Sequence, residues 1–186
     1  RFEKLLDRLG RERRLATEEY EELVRTLSRE EAAGEREELF ARARRVREAV
    51  YGKKVYIRGL VEVSNVCRND CYYCGIRKSN GHAVRYRMDQ EEILECCREG
   101  YRLGFRTFVF QGGEDPAMTD QVVEALVAAV HREFPDCAIT LSLGEKERES
   151  YQRFFDAGAD RYLLRHETAN PEHYRRLHPP SMSWEH

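Results

Sequence analysis

Three cysteines at short spacing, Cys67-Arg-Asn-Asp-Cys71-Tyr-Tyr-Cys74, form the strongest chemical signal in this chain. Thiolates at x3 and x2 spacing on one loop can each take one iron of a four-iron cubane, which leaves the fourth iron without a protein ligand. An open iron can bind a substrate or cofactor, whereas structural zinc wants four closed ligands. His82 and the pair Cys96-Cys97 are the candidates for a fourth ligand. His82 lies in a loop beyond the motif. Cys96-Cys97 falls inside an amphipathic helical pattern that puts Cys97 on the apolar face, where thiols are commonly buried and inert. Ligand count and softness therefore favour iron–sulfur over zinc.

A second signal is positional. Each apolar strand pattern runs into a polar cluster: Ser64-Asn65 ahead of the cysteines, Gln111-Gly-Gly-Glu-Asp115, Ser142-Leu-Gly-Glu145 and Arg165-His-Glu-Thr168. Loops at the C-terminal ends of parallel strands build the active sites of β/α proteins. Alternation then sorts the side chains. Ile139, Leu141 and Leu143 share one face, so Thr140 and Ser142 take the other; Phe108 and Phe110 oppose Thr107 and Gln111; Tyr162 and Leu164 oppose Arg165 and Glu167. Outer helices need the apolar face, so the polar set should look into a cavity. Simpler roles are assigned elsewhere. Asp115-Pro116 also reads as a turn or helix start, and Gly112-Gly113 also reads as a tight turn. Glu145 reads as help for the next helix, His166 as a packed residue, and His131, His173 and His178 as solvated or packed.

The elements that must position these residues follow from periodicity. Residues 1–52 read as a charge-rich helical preface of structural purpose. Ser28 and Glu31 offer a capping box, and Leu39, Ala43, Val46 and Val50 form an apolar stripe on a helix ending near Gly52. From residue 53 strand and helix alternate: an extended run carrying Val55, Ile57, Val61 and Val63, a helix over 88–103, a strand over 106–111, a helix over 119–133, a strand over 138–143, a helix over 146–157, a strand over 161–167, and a helix opening at Pro171. Repeated units of this size imply an α/β fold with a parallel sheet and right-handed crossovers, open or closed into a barrel.

Composition bounds the alternatives. Of 186 residues, 32 are Lys or Arg and 34 are Asp or Glu, a formal net charge of −2. That balance argues against broad nucleic-acid or membrane-surface binding. No apolar run approaches the ~18 residues of a membrane span. Six clustered cysteines suit metal chemistry in a reducing compartment better than a disulfide scaffold. The chain reads as cytoplasmic.

These residues resemble the radical S-adenosylmethionine (SAM) superfamily: the Cys-x3-Cys-x2-Cys motif with an aromatic residue before its last cysteine, then a Gly-Gly-Glu turn after the next strand. More narrowly, residues 67–77 (CRNDCYYCGIR), 85–88 (RYRM), 111–116 (QGGEDP), 140–145 (TLSLGE) and 159–171 (ADRYLLRHETANP) resemble the HydE-type maturases of the iron–iron hydrogenase active site. The resemblance runs from about Phe40 onward. It implies a (β/α)8 TIM-type barrel in which Cys67, Cys71 and Cys74 ligate a 4Fe-4S cluster whose open iron chelates SAM. It places Tyr73 beside the adenine, Gly112, Gly113 and Glu114 at the methionine amino group, Ser142 near the methionine, and Glu167 at the ribose. Gln111, Thr140 and Arg165 would line the substrate cavity beneath. The implied reaction is one-electron reduction of the cluster, SAM cleavage and attack by a 5′-deoxyadenosyl radical. The implied substrate is a cysteine-bound iron unit on the way to the dithiomethylamine bridge. An electron donor such as ferredoxin or flavodoxin and other hydrogenase maturation proteins are the implied partners.

Methylornithine synthase and biotin synthase share the cluster motif, but residues 165–170 fit them less well. A cluster carrier or zinc-binding module would need the cysteines without inward polar residues. Four strand–helix units against the family's eight read as an N-terminal piece, and Arg1 in place of Met reads as a missing end. Such a piece should show a curved half-barrel of four strands, open at the 161–167 strand, inactive and prone to aggregation when isolated.

Overall fold

The computed structural model describes residues 1–185, with a helical preface followed by alternating strand and helix, as the apolar periodicity predicts. Three helices come first, α1 (Phe2–Glu12), α2 (Thr17–Leu27) and α3 (Ala33–Tyr51). Four strand–helix units follow: β1 (Gly59–Ser64) and α4 (Gln90–Arg102), β2 (Thr107–Gly112) and α5 (Asp120–Glu133), β3 (Ala138–Ser142) and α6 (Arg148–Asp156), β4 (Arg161–Tyr162) and α7 (Pro171–Leu177). The chain divides into two compact units, Arg1–Tyr56 and the remainder from Ile57. No helix among the described residues is long and apolar enough to cross a membrane.

The helical unit has a small core of Leu5, Leu6 and Leu23, with Phe2, Leu9, Leu27 and Leu39 packed on it. Of the apolar stripe expected on α3, Leu39 joins this cluster, whereas Val46 and Val50 are exposed. The capping box expected at Ser28 is absent. Ser28 is the C-terminal cap of α2, and its hydroxyl donates to the Val24 carbonyl at 2.8 Å. Arg36 then gathers the carbonyls of Leu27, Arg29 and Glu30, so a guanidinium closes the α2–α3 turn.

In the second unit the strands pair in parallel in the order β1-β2-β3-β4, as the alternation of strand and helix requires. Register puts Val61, Phe110, Leu141 and Tyr162 in one row across the sheet. That row faces α4 and α5, whose Ile93, Leu94, Cys97, Val123, Leu126, Val127 and Val130 complete the main core. Each large side chain fully enclosed here contributes about 1.5–3 kcal/mol. The opposite face carries the rows Glu62–Gln111 and Val109–Thr140, with Ser142 opposite Gln111. The sorting of β2 and β3 side chains by alternation therefore holds.

Two strand expectations change. Val55, Tyr56 and Ile57 are exposed and unpaired, so β1 begins only at Gly59, where β2 offers a partner. β4 is two residues long instead of seven. β3 leaves the ladder after Ser142 to make a turn at Gly144, so beyond one last bond, from the Leu163 amide to the Leu141 carbonyl, β4 has nothing left to pair with. Arg165 and Glu167 thus lie on a loop past the strand.

Asp89 starts α4 with a true capping box: its carboxylate accepts from the Glu92 amide at 2.9 Å, and the Glu92 carboxylate accepts from the Asp89 amide at 2.8 Å. Asp89→Ala should cost about 0.5–2 kcal/mol, read as a lower urea midpoint. Ser28→Ala should stay within about 0.5 kcal/mol of the parent. The reverse order would restore Ser28 as the helix-starting residue.

Candidate functional site

The site begins at an irregularity in β1. Glu62 pairs with Gln111, but the next pair is Ser64 with Gly112, so Val63 is an extra residue. Bulges of this kind bend a strand and re-aim its side chains. Ser64 is left buried, with its hydroxyl donating to Asp115 at 2.6 Å and accepting from the Val66 amide at 3.1 Å. The chain then enters the cysteine loop.

Arg85 holds that loop together. Its guanidinium donates to the carbonyls of Asn65 (2.6 Å), Ile76 (2.8 Å), Arg77 (2.7 Å) and Asn80 (3.3 Å), joining the entry of the loop to its far side. Asp70 accepts from the Ser79 amide and Asn80 donates to the Gly75 carbonyl, which ties the inner turns. These bonds hold the loop in one shape with no strand or helix inside it. Cys67, Cys71 and Cys74 are free thiols, each partly exposed.

The turn after β2 lies directly against this loop. A β-carbon at residue 113 would stand 2.7 Å from that of Cys67 and inside contact distance of the Val66 carbonyl oxygen, so only glycine fits. Glu114 turns back: its carboxylate accepts from the Arg68 guanidinium at 3.0 Å and packs over Gly144. Gly144 has φ 85°, and a side chain there would collide with Glu114. Asp115 is enclosed beneath the turn. It accepts from Arg87 Nε (2.7 Å) and Nη2 (2.9 Å), from Ser64 and from the Ala117 amide (3.0 Å). Burial alone would raise its pKa. The bonds from Arg87, Ser64 and Ala117 outweigh that and hold it at about 2.

These segments surround a cavity of about 430 Å³. Cys67, Cys71, Cys74 and Tyr73 form one wall; Gly112, Gly113, Glu114, Ser142 and Glu145 form the next; Arg165, His166 and Glu167 come from the loop after β4. The structure thus brings ten of the twelve residues singled out in the sequence to one cavity. Gln111 and Thr140 do not reach its wall. Gln111 donates to Glu62 at 2.9 Å, and Thr140 is buried in the sheet with its hydroxyl unpartnered. His166 is exposed on the cavity wall instead of packed against helices, because β4 ends before it. Glu145 is on the wall too, and α6 starts two residues later at the N-cap position Glu147, whose side chain makes no capping bond.

An aromatic group closes the far side. His178 is buried, stacked on Tyr174 at 3.9 Å and edge-on to Tyr73 at 5.5 Å. Its Nδ1 meets the Tyr174 carbonyl at 2.9 Å; a carbonyl only accepts, so Nδ1 carries the proton, and in the neutral ring Nε2 accepts from the Tyr73 hydroxyl at 3.4 Å. Burial pushes the Tyr73 hydroxyl well above its ordinary pKa, with the thiol of Cys71 adding to the effect. Burial also raises Cys71, against an opposing hydrogen bond with Tyr73, and the neighbouring Cys67 and Cys74 add to the rise. Cys97 is pushed up to about 12 by burial in the core, which makes it inert.

Sequence reasoning missed Arg85, Arg87 and His178 as groups that shape the site, because their partners lie 5 to 105 residues away. Among the described residues, no three His, Cys, Asp or Glu side chains converge to hold a single metal ion. Three separate thiols opening onto one roomy cavity are a donor set that fits a polynuclear cluster, in which each iron takes its own thiolate.

Residues 61–186 match the family model of the radical SAM superfamily. The [FeFe] hydrogenase maturase subunit HydE of Thermotoga maritima is 47% identical over 146 residues, 78% of this chain and 41% of that protein. The 3-methylornithine synthase of Methanosarcina acetivorans is 32% identical over 157 residues, 83% of this chain and 44% of that protein. The chain therefore spans less than half the length of these relatives. The crystal structure of methylornithine synthase (PylB) superposes with a TM-score of 0.78 at 29% identity, covering 95% of this chain and 51% of that one. The [FeFe]-hydrogenase maturase HydG shares the fold, with a TM-score of 0.78 at 23% identity.

The Asp115 geometry carries a pH signature. Its pKa falls from 3.8 to about 2 on folding, so its contribution to stability is complete above pH ~4 and is lost as pH falls through ~2. The stability difference between the parent and Asp115→Asn should be constant above pH ~4 and should shrink between pH ~4 and ~2. Denaturant midpoints across that range check it; a difference independent of pH would remove the carboxylate from the account.

Proposed function

The chain belongs to the radical SAM superfamily, and from that membership we propose that Cys67, Cys71 and Cys74 hold a 4Fe-4S cluster with S-adenosylmethionine bound beside it. The observation that carries this reading is the single cavity shared by the three free thiols and the Gly113–Glu114 turn. When bound, the cluster and SAM supply a reductive cleavage that yields a 5′-deoxyadenosyl radical, chemistry no side chain can provide.

The chain's own residues bind, orient and exclude water. Three thiolates leave one iron open for the amino and carboxylate groups of SAM. Gly113 brings the turn after β2 against the cysteine loop, and Glu114 stands on the wall to accept from the methionine ammonium. Tyr73, fixed from behind by His178, offers an aromatic face to the adenine. Ser142 and Glu167, both on the cavity wall, are assigned to the methionine and the ribose, Glu167 as acceptor for two hydroxyls. Arg165 lines the same cavity and is assigned to the substrate. Gln111 and Thr140 belong to the face of the sheet below, as substrate-side residues deeper in a fuller barrel.

For the whole protein we assign a part in assembling the iron–iron hydrogenase active site, toward the dithiomethylamine bridge, on a cysteine-bound iron substrate. The 47% identity to HydE supports this. Ferredoxin or flavodoxin as electron donor, other maturation proteins as partners, and a cytoplasmic setting complete the reading. The helical preface, residues 1–52, has a structural role, and residues 53–186 are the catalytic part. Methylornithine synthase is the second reading, favoured by the PylB superposition; an assay for methylornithine as product separates the two.

Two measurements test this on the full-length, anaerobically reconstituted protein. Cys71→Ala should form no 5′-deoxyadenosine from SAM, whereas Cys96→Ala, at an exposed thiol on α4, should keep the parent rate. Normal cleavage by Cys71→Ala would end the cluster assignment. Glu167→Gln should weaken SAM binding about ten- to a hundredfold, the worth of ~1.5–3 kcal/mol of charge-assisted bonds, with little change in melting temperature. Unchanged affinity would take Glu167 away from the ribose.

A further inference from the structure

The buried carboxylate of Asp115 is the meeting point of three segments that are far apart in sequence. One is the β1 bulge at the entry to the cysteine loop, the second is the strip containing Arg87, and the third is the glycine turn itself. Ser64 joins the first to the third twice over. Its hydroxyl donates to Asp115, and its carbonyl accepts from the Gly113 amide at 3.2 Å. The same hydroxyl accepts from the Val66 amide, one residue before Cys67. Arg87 makes a bidentate bond to Asp115, and Ser64 and Arg87 also form an isolated antiparallel bridge. The carboxylate is fully enclosed, whereas Arg87 keeps 52% of its side chain exposed. A buried charge costs free energy unless every lone pair is met, and here four donors meet it.

We propose that Asp115, with Ser64 and Arg87, is a positioning residue that sets the Gly113–Glu114 turn at its working distance from the cysteine loop and so governs capture of the SAM amino group. This rests on the reading of Cys67, Cys71 and Cys74 as cluster ligands and of Glu114 as a SAM contact. Asp115 does not touch the cavity. It acts through the backbone of residues 113 and 114, whose amide and carbonyl bond the cysteine loop at Ser64 and Arg68. An ordinary helix-starting role would need none of this, because Thr119 already caps α5.

The test uses the full-length reconstituted protein and compares Asp115→Asn, Ser64→Ala and Arg87→Met. Arg87→Met cuts the bidentate bond from a half-exposed position, so it keeps the fold where Asp115→Asn fails to. Four quantities are read: iron content, melting temperature, hydrogen exchange of the 64–68 and 112–118 segments, and SAM affinity from its perturbation of the reduced-cluster EPR signal. The expected result is parent-like iron content and parent-like EPR without SAM, faster exchange in both segments, and SAM affinity weakened about tenfold or more. Ser64→Thr, which keeps the hydroxyl, should restore affinity. Parent-like SAM affinity in Arg87→Met and Ser64→Ala would overturn the proposal. So would losses of iron, melting temperature and affinity in step, which mark a purely structural clasp. A parent protein that takes up iron but does not bind SAM would instead sink the functional reading beneath it.

Discussion

The rest of the site depends on one close approach, between the backbone of Gly113 and the chain at Val66–Cys67. Two loops that leave neighbouring strands are pressed together with no side chain between them. They are bonded as a ladder would be, Gly113 amide to Ser64 carbonyl and Arg68 amide to Glu114 carbonyl. The parallel pairing of β1 and β2 thus continues past the end of the sheet as loop backbone. Such an arrangement holds only if both loops are stiff. Arg85 stiffens the first through four carbonyls, and the enclosed carboxylate of Asp115 anchors the second. Glycine removes a steric obstacle, and charged side chains supply the bonds that keep the gap closed.

Parts of this were legible in the sequence because their signals are local. Period-two alternation placed Phe108, Phe110, Ile139 and Leu141 against the helices, and it put Gln111, Thr140 and Ser142 on the other face. Pro171 and Thr119 start helices where their chemistry says they should. What failed was non-local. The apolar residues 55–57 look like strand but have no partner, and 163–167 look like strand but lose theirs when β3 turns at Gly144. Strand propensity describes a residue's fit to a pleated surface and cannot supply the neighbour. Ser28 and Asp89 both precede a glutamate by three residues, yet only Asp89 has non-helical backbone ahead of a helix; Ser28 ends one.

The candidate site shows the same division. Cysteine spacing and strand-end position located the cavity, because both follow from sequence order alone. The groups that shape it were silent. Arg87 and Asp115 are 28 residues apart, Glu62 and Gln111 are 49 apart, and nothing near either partner advertises the other. Arg85 has the composition of a surface residue and the position of a clamp. His178, one histidine among six, gains its place only when the chain returns past Tyr73.

That return sets an order of assembly. The bonds that shape the cysteine loop, from Asn69–Lys78 to Arg85–Asn65, close circuits of about 5 to 20 residues. The far wall joins the loop through Tyr72–Leu177 and Tyr73–His178, a circuit of 105 residues. Closing a loop five times longer costs about 1.4 kcal/mol more chain entropy, and non-local contacts form late. On a growing chain the cysteine loop is complete before residues 174–178 have been made. The three thiols therefore spend their first moments arranged but uncovered, and the aromatic wall arrives over a loop that already has its shape.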